Sequence, residues 1–77
     1  MKIEEALDNE LREVVFSLSE AVYDERYSSR CYQDTIHALE MKLHSLLSVY
    51  KNSNTALPEL NYYLGFKVDI DWYMEKV

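Results

Sequence analysis

The sequence predicts a small all-α protein: an antiparallel helical hairpin, then a short C-terminal helix and an aromatic-rich tail. The chain has 77 residues but only one glycine and one proline, and both lie in its last quarter. Residues 1–57 therefore lack the two strongest helix breakers. Apolar residues also recur there at intervals of three and four, as they do on the buried sides of amphipathic helices. We expect one domain, made of the hairpin (1–54) and an aromatic C-terminal segment (55–77).

The first helix is predicted over residues 2–25. Acidic side chains crowd its first turns, where the helix dipole favours negative charge. The apolar stripe of this helix repeats with spacings of 4, 3, 4 and 3, and it consists of Leu7, Leu11, Val14, Leu18 and Ala21.

The second helix is predicted over residues 30–51. Its stripe has the same near-heptad spacing and consists of Tyr32, Ile36, Leu39, Leu43, Leu46 and Tyr50. The phase of the stripe slips between Tyr23 and Cys31, which predicts two helices rather than one continuous rod. Ser28 or Ser29 is suited to cap the second helix. Residues 1–25 carry a net charge of −6 and residues 26–54 carry +2, so the two helices are complementary in charge.

The sequence of the C-terminal segment predicts less regular structure than that of the two long helices. Thr55 can cap a short helix that has Pro58 in its first turn and ends at Gly65. Residues 66–74 fit two patterns: an alternating strand, or a helix capped by Asp69. A lone strand cannot pair its backbone, which favours the helix, although the pattern leaves both structures open.

Charge and cysteine content limit the classes of function. Eight basic and 14 acidic residues give a net charge of −6, which disfavours direct binding to nucleic acid because the phosphates require a basic patch. The single cysteine, Cys31, cannot form an internal disulfide, as is typical of proteins in a reducing compartment. The N-terminus lacks the apolar core of a secretory signal, and no apolar run approaches the length of a membrane span. We expect a cytoplasmic protein that does not bind membranes.

The distribution of aromatic residues is the strongest indication of function. Half of the ten aromatic side chains lie in the last sixteen positions, and three more follow one side of the first helix, away from its apolar stripe. Tyrosine and tryptophan are enriched at protein interfaces, although the tail could also fold back onto the first helix. The predicted partner or oligomer interface consists of Phe16, Tyr23, Tyr27, Tyr62, Tyr63, Phe66, Trp72 and Tyr73.

The acidic side chains of the first helix support a sharper hypothesis. A rigid row of carboxylates can imitate a phosphate backbone and block the nucleic-acid site of another protein. The simpler interpretation is a solvated face that keeps the protein soluble. The residues of this acidic face are Glu5, Asp8, Glu13, Glu20 and Asp24.

The sequence pattern gives little support for a metal site or a catalytic site. The best metal candidates, His37, Glu40 and His44, lie on one side of the second helix, but histidines seven residues apart do not readily chelate one ion. We expect no metal and no cofactor. One glycine excludes a glycine-rich phosphate loop, and Cys31 has no base beside it on its helix face. We therefore expect a protein that is not an enzyme.

The sequence thus predicts stoichiometric binding to another protein. The expected role is that of an adaptor, regulator or inhibitor of a larger cytosolic protein, acting as a homodimer. The alternative is an inhibitor of the kind that phages and mobile elements encode, whose acidic face mimics nucleic acid and blocks a nuclease or a DNA-binding complex.

Overall fold

The computed structural model describes residues 3–28 and 31–77. In these residues the chain forms no β-strand, and its regular elements are α1 (Ile3–Tyr27), α2 (Gln33–Ser53), a 3₁₀ turn (Tyr63–Gly65) and α3 (Ile70–Lys76). The predicted all-α fold is confirmed, with α1 and α2 packed as a hairpin and a short helix at the C-terminus. The start predicted for the first helix, residue 2, lies outside the described residues.

The core lies between the two long helices. Both apolar stripes point into it, and its buried residues are Leu11, Val14, Val15, Leu18, Leu43, Leu46, Leu47, Tyr50 and Ile70. The two helices run antiparallel, because the Tyr50 hydroxyl near the end of α2 donates to the Asp8 carboxylate near the start of α1. Between described residues, the predicted charge complementarity yields one ion pair, Lys42 to Glu10 at 3.6 Å. Both side chains are exposed, so this pair adds about 0–1 kcal/mol.

The second helix begins later than predicted and without the predicted serine cap. It starts at Gln33, and Tyr32 occupies the N-cap position with no side-chain hydrogen bond to the helix. Ser28 instead closes the end of α1, where its N–H donates to the Asp24 carbonyl at 2.8 Å. Ser29, the other predicted cap, lies outside the described residues.

The helix predicted to begin at Thr55 is absent, and that prediction is wrong. Residues 55–62 form an irregular segment, followed by the single turn at Tyr63–Gly65. Part of the reason is local. Leu57 precedes Pro58, and helical dihedrals are unfavourable for a residue that precedes proline. The rest is tertiary: the Arg12 guanidinium donates to the Glu59 carbonyl at 2.9 Å and ties the segment to α1.

Of the two structures that fit residues 66–74, the helix is the one found, from Ile70 onward. Asp69 caps it as expected, since its carboxylate accepts a hydrogen bond from the Trp72 N–H at 3.1 Å. Ile70 is buried in the core, which docks α3 on α2. Lys51 adds a link between the two helices by donating to the Val77 carbonyl at 2.7 Å.

We expect Tyr50→Phe to lower the free energy of unfolding by about 1–2 kcal/mol, because the variant loses a hydrogen bond to a charged acceptor and leaves half-buried Asp8 without its partner. Urea denaturation at pH 8 measures this loss.

The pH dependence of the free energy of unfolding provides a second test of the Tyr50→Phe variant. Burial, together with the hydrogen bond to Asp8, raises the pKa of Tyr50 above its usual range. The unfolded tyrosine ionises near pH 10 while the folded one stays protonated, so stability falls above about pH 10. The native chain should therefore lose about 1 kcal/mol more than Tyr50→Phe between about pH 10 and 11. Parallel losses in both proteins would contradict the role given to this hydroxyl.

Candidate protein-binding surfaces

Five of the predicted interface residues form one cluster, which we call the aromatic surface: Phe16, Tyr23, Tyr27, Tyr63 and Phe66. The Tyr63 ring meets the rings of Phe16 and Tyr23 edge to face, with centroids 5.9 and 5.4 Å apart. Tyr23 also contacts Tyr27 at 4.8 Å and Phe66 at 6.1 Å. Edge-to-face pairs of this kind add about 0.5–1.5 kcal/mol beyond their burial. The segment after the hairpin therefore folds back onto the side of α1 that faces away from α2.

A buried serine holds the turn at 62–66 against α1. Ser19 is fully buried, and its hydroxyl donates to the Phe16 carbonyl at 2.8 Å. The same oxygen accepts the Tyr63 N–H at 2.7 Å. An α-helical serine thus provides a backbone anchor for a segment 44 residues further along the chain.

This turn displays an apolar side chain in a costly backbone conformation. Leu64 has a φ of 50° and Gly65 a φ of 71°, so two successive residues are left-handed. Glycine adopts this conformation freely, whereas another residue pays about 1–2 kcal/mol. The Leu64 side chain recovers little by burial, because 71% of its surface is exposed. Tyr27 and Phe16 are also exposed, at 62% and 40%. Leu64 lies in the chain between Tyr63 and Phe66, two members of the aromatic surface.

The other three predicted interface residues lie elsewhere. Tyr62 packs against the core. Tyr73 is half-buried between α3 and α2, where its hydroxyl donates to the Glu40 carboxylate at 2.7 Å. Burial and this hydrogen bond raise the pKa of Tyr73 above its usual range. Trp72 is exposed on α3, with the Lys76 ammonium 5.2 Å from its ring centroid.

A second apolar surface lies on the side of α2 that faces away from the core. We call it the α2 face, and it consists of the exposed residues Ala38, Met41, Ser45 and Val49. Met41 is 59% exposed and Val49 is 48% exposed. An open groove of about 410 Å³ runs beside Met41 to Trp72, and its other lining residues are His37, Glu40, His44 and Lys76.

The two surfaces occupy different sides of the molecule. In the described residues, the 63–65 turn packs against α1 and α3 packs against α2, while α1 and α3 do not meet. Among the described residues, the large apolar side chains that are exposed therefore form two groups: Phe16, Tyr27 and Leu64 on α1 and its turn, and Met41, Val49 and Trp72 on α2 and α3.

The predicted acidic face is only partly available to a ligand. Glu5, Glu13 and Glu20 are exposed and Asp24 is half-buried, but Asp8 is held by the Tyr50 hydroxyl. Glu13 and Glu20 lie seven residues apart on α1, next to Phe16 on the helix surface. No described cation lies within ion-pair distance of either carboxylate. A short acidic row therefore borders the aromatic surface.

The metal candidates do not converge. Nowhere in residues 3–28 and 31–77 are three histidine, cysteine, aspartate or glutamate side chains placed to hold a metal ion. Glu40 is bonded to Tyr73, and the His44 ring packs edge to face on the same tyrosine at 5.9 Å. Cys31 is exposed at the start of the segment that leads into α2. In the described part of the chain, every helix is too short or too polar to span a bilayer.

Comparisons with protein-family models, with curated proteins and with solved structures found no match for this chain.

Three residues of these surfaces are not among the predicted interface residues: Leu64, Met41 and Val49. Leu64 precedes the only glycine, but nothing in its neighbourhood indicates a left-handed leucine. Met41 and Val49 lie off the apolar stripe of α2, and a search for apolar residues off that stripe would have found them.

Proposed function

We propose that this protein acts by binding another protein stoichiometrically through the aromatic surface and Leu64. The partner is a larger cytoplasmic protein, and the bound chain serves as its adaptor, regulator or inhibitor. The observation that carries the proposal is Leu64, an apolar side chain that is 71% exposed in a left-handed conformation.

The backbone cost of Leu64 supports this proposal. A glycine or asparagine would adopt the same φ at lower cost, and the exposed leucine gains little by burial in the free protein. A residue in a strained conformation persists when the surrounding structure holds it, and such residues cluster at functional sites. Here Ser19 holds the turn through the Tyr63 N–H. The leucine gains its burial energy when a partner covers it.

The composition of the surface supports the same proposal. Phe16, Tyr23 and Tyr27 present large, rigid rings, and such rings are enriched among the residues that contribute most to interface affinity. Edge-to-face contacts with Tyr63 and Phe66 fix Phe16 and Tyr23 before binding, and the Tyr27 ring packs against Tyr23. A preorganised surface loses less conformational entropy on association.

We expect Leu64→Asn to abolish partner capture without destabilising the protein. Asparagine tolerates left-handed dihedrals, so the free energy of unfolding should stay constant or rise by about 0.5 kcal/mol. The measurement is affinity capture from the cells that make the protein, quantified by mass spectrometry, with urea denaturation of each variant. The matched control is Met41→Gln, which changes an exposed apolar residue on the α2 face and should preserve capture. Equal capture by the native chain and by Leu64→Asn would sink the proposal.

Nucleic-acid mimicry is a second candidate, supported by the exposed carboxylates of Glu13 and Glu20. A charge-driven complex would weaken steeply with salt, since charges are screened within about 3 Å at about 1 M ionic strength. Capture that disappears at about 1 M salt and in a Glu13→Gln, Glu20→Gln double variant, but persists in Leu64→Asn, would favour mimicry. Capture that survives high salt but is lost in Leu64→Asn would favour the apolar contact.

A further inference from the structure

We infer that a second copy of this chain docks on the α2 face, with the two α2 helices antiparallel and crossing at Ser45. This leaves the aromatic surface and Leu64 of both copies on the outside, open to a different partner. The inference goes beyond the proposed function because it assigns the second apolar surface to self-association.

The distribution of charge selects this side for contact between copies. Helix α1 holds eight acidic and two basic residues, a net charge of −6, whereas α2 holds two of each and is neutral. Two copies that met through α1 would bring two strongly acidic helices together. Contact through α2 pairs neutral surfaces and keeps the acidic helices on opposite outer sides of the dimer.

The order of residues along the α2 face fits a two-fold axis at Ser45. In an antiparallel pair centred there, Met41 of one copy lies opposite the partner copy's Val49, and Ala38 lies opposite the partner copy's Asn52. The small serine at the crossing point lets the two backbones approach closely. Lys42 falls opposite a serine, so no like charges meet in this register. A parallel pair would instead place Asp34 against Asp34, with both helix dipoles aligned.

The groove beside Met41 supplies further contact area. In the antiparallel register, the C-terminal half of the partner copy's α2 passes Trp72 and the groove of about 410 Å³ that this ring lines. A partner copy that covers Met41 also reaches the edge of this groove, where Trp72 is 49% exposed. The accessible surface of the single chain is 5470 Å², whereas a typical compact monomer of this mass exposes about 4,900 Å². Association would bury part of this excess.

Sedimentation equilibrium of the full chain tests the inference. The native protein should sediment as a dimer of twice 9.2 kDa. Val49→Asp should weaken the dimer by about 100-fold or more, because it places unpaired charges in the contact. Leu64→Asp, which introduces the same charge on the other surface, should leave the dimer intact, and circular dichroism checks that both variants fold. A monomeric native chain at every concentration would overturn the inference, as would a dimer that only Leu64→Asp disrupts.

Cysteine cross-linking tests the register. In a Cys31→Ser background, Ser45→Cys should form an intermolecular disulfide on oxidation, since its two copies face each other across the axis. Val49→Cys should not, because it lies opposite Met41 and the two introduced thiols are too far apart for a disulfide. A disulfide in Val49→Cys would contradict the antiparallel arrangement.

Discussion

Replacement of Leu18 by alanine is expected to remove 2–5 kcal/mol of stability, about what a fully buried leucine loses through lost transfer energy and the cavity left behind. Leu18 is fully buried on α1, in the core that α1 and α2 share. A domain of this length is stable by roughly 4–12 kcal/mol. The variant should therefore melt at least about 10 °C below the native chain, as followed by circular dichroism.

The control for Leu18→Ala is Leu64→Ala, which removes the same atoms from an exposed site. Its free energy of unfolding should change by less than about 0.5 kcal/mol, as surface substitutions usually do. Similar losses in the two variants would mean that the core does not lie where the structure places it.

The second large effect is expected at Ser19, whose replacement by alanine should release the turn at 62–66. The variant removes the acceptor of the Tyr63 N–H and the donor to the Phe16 carbonyl. A fully buried backbone donor left without a partner costs about 1–3 kcal/mol, and the half-buried Tyr63 N–H should cost the lower part of this range. Amide hydrogen exchange should become faster at residues 62–66, and urea denaturation should show the matching loss of stability.

Ser17→Ala is the matched control for Ser19, because it makes the same chemical change on the exposed side of the same helix. It should leave exchange at the turn unaltered. Equal exchange at residues 62–66 in both variants would show that something other than Ser19 holds this segment on α1.

The sequence predicted the elements that depend on local information. The stripes through Leu11 and Leu43 fixed the buried faces of both long helices, and Asp69 marked the start of α3 because a cap acts within one turn. The turn at Tyr63–Gly65 could not be predicted in this way. Its conformation depends on Ser19, which is remote in sequence, and a serine in a helical pattern gives no sign that it will bind a distant backbone.

The candidate site was predicted only in part, because some of its residues are positioned by tertiary contacts. The spacing of Phe16, Tyr23 and Tyr27 indicated a second apolar side of α1, and the structure places all three there. The aromatic residues of the C-terminal segment looked like one group, yet they separate at Asp69. Phe66 stays with α1, whereas Trp72 follows α3 onto α2 because Ile70 is buried in the core. The direction in which this short helix runs is set by tertiary packing and not by its local sequence.

The two apolar surfaces are suited to different partners. The α2 face is neutral and suits a second copy, while the aromatic surface is bordered by Glu13 and Glu20 and suits a different protein with a basic rim. A homodimer built through α2 would present two copies of Leu64 on its outer sides, so it could bind two partner molecules or one symmetric partner with increased avidity.

Amide hydrogen exchange shows whether a partner covers Leu64. It is measured on the chain alone and in complex with the captured partner, at a concentration where the oligomeric state of the chain is the same in both samples. Exchange should be slower in the complex at residues 62–66 and along the side of α1 that carries Phe16 and Tyr23, and it should be unchanged along α2. Slower exchange confined to α2 and α3, with residues 62–66 as fast as in the free chain, would show that the partner does not cover Leu64.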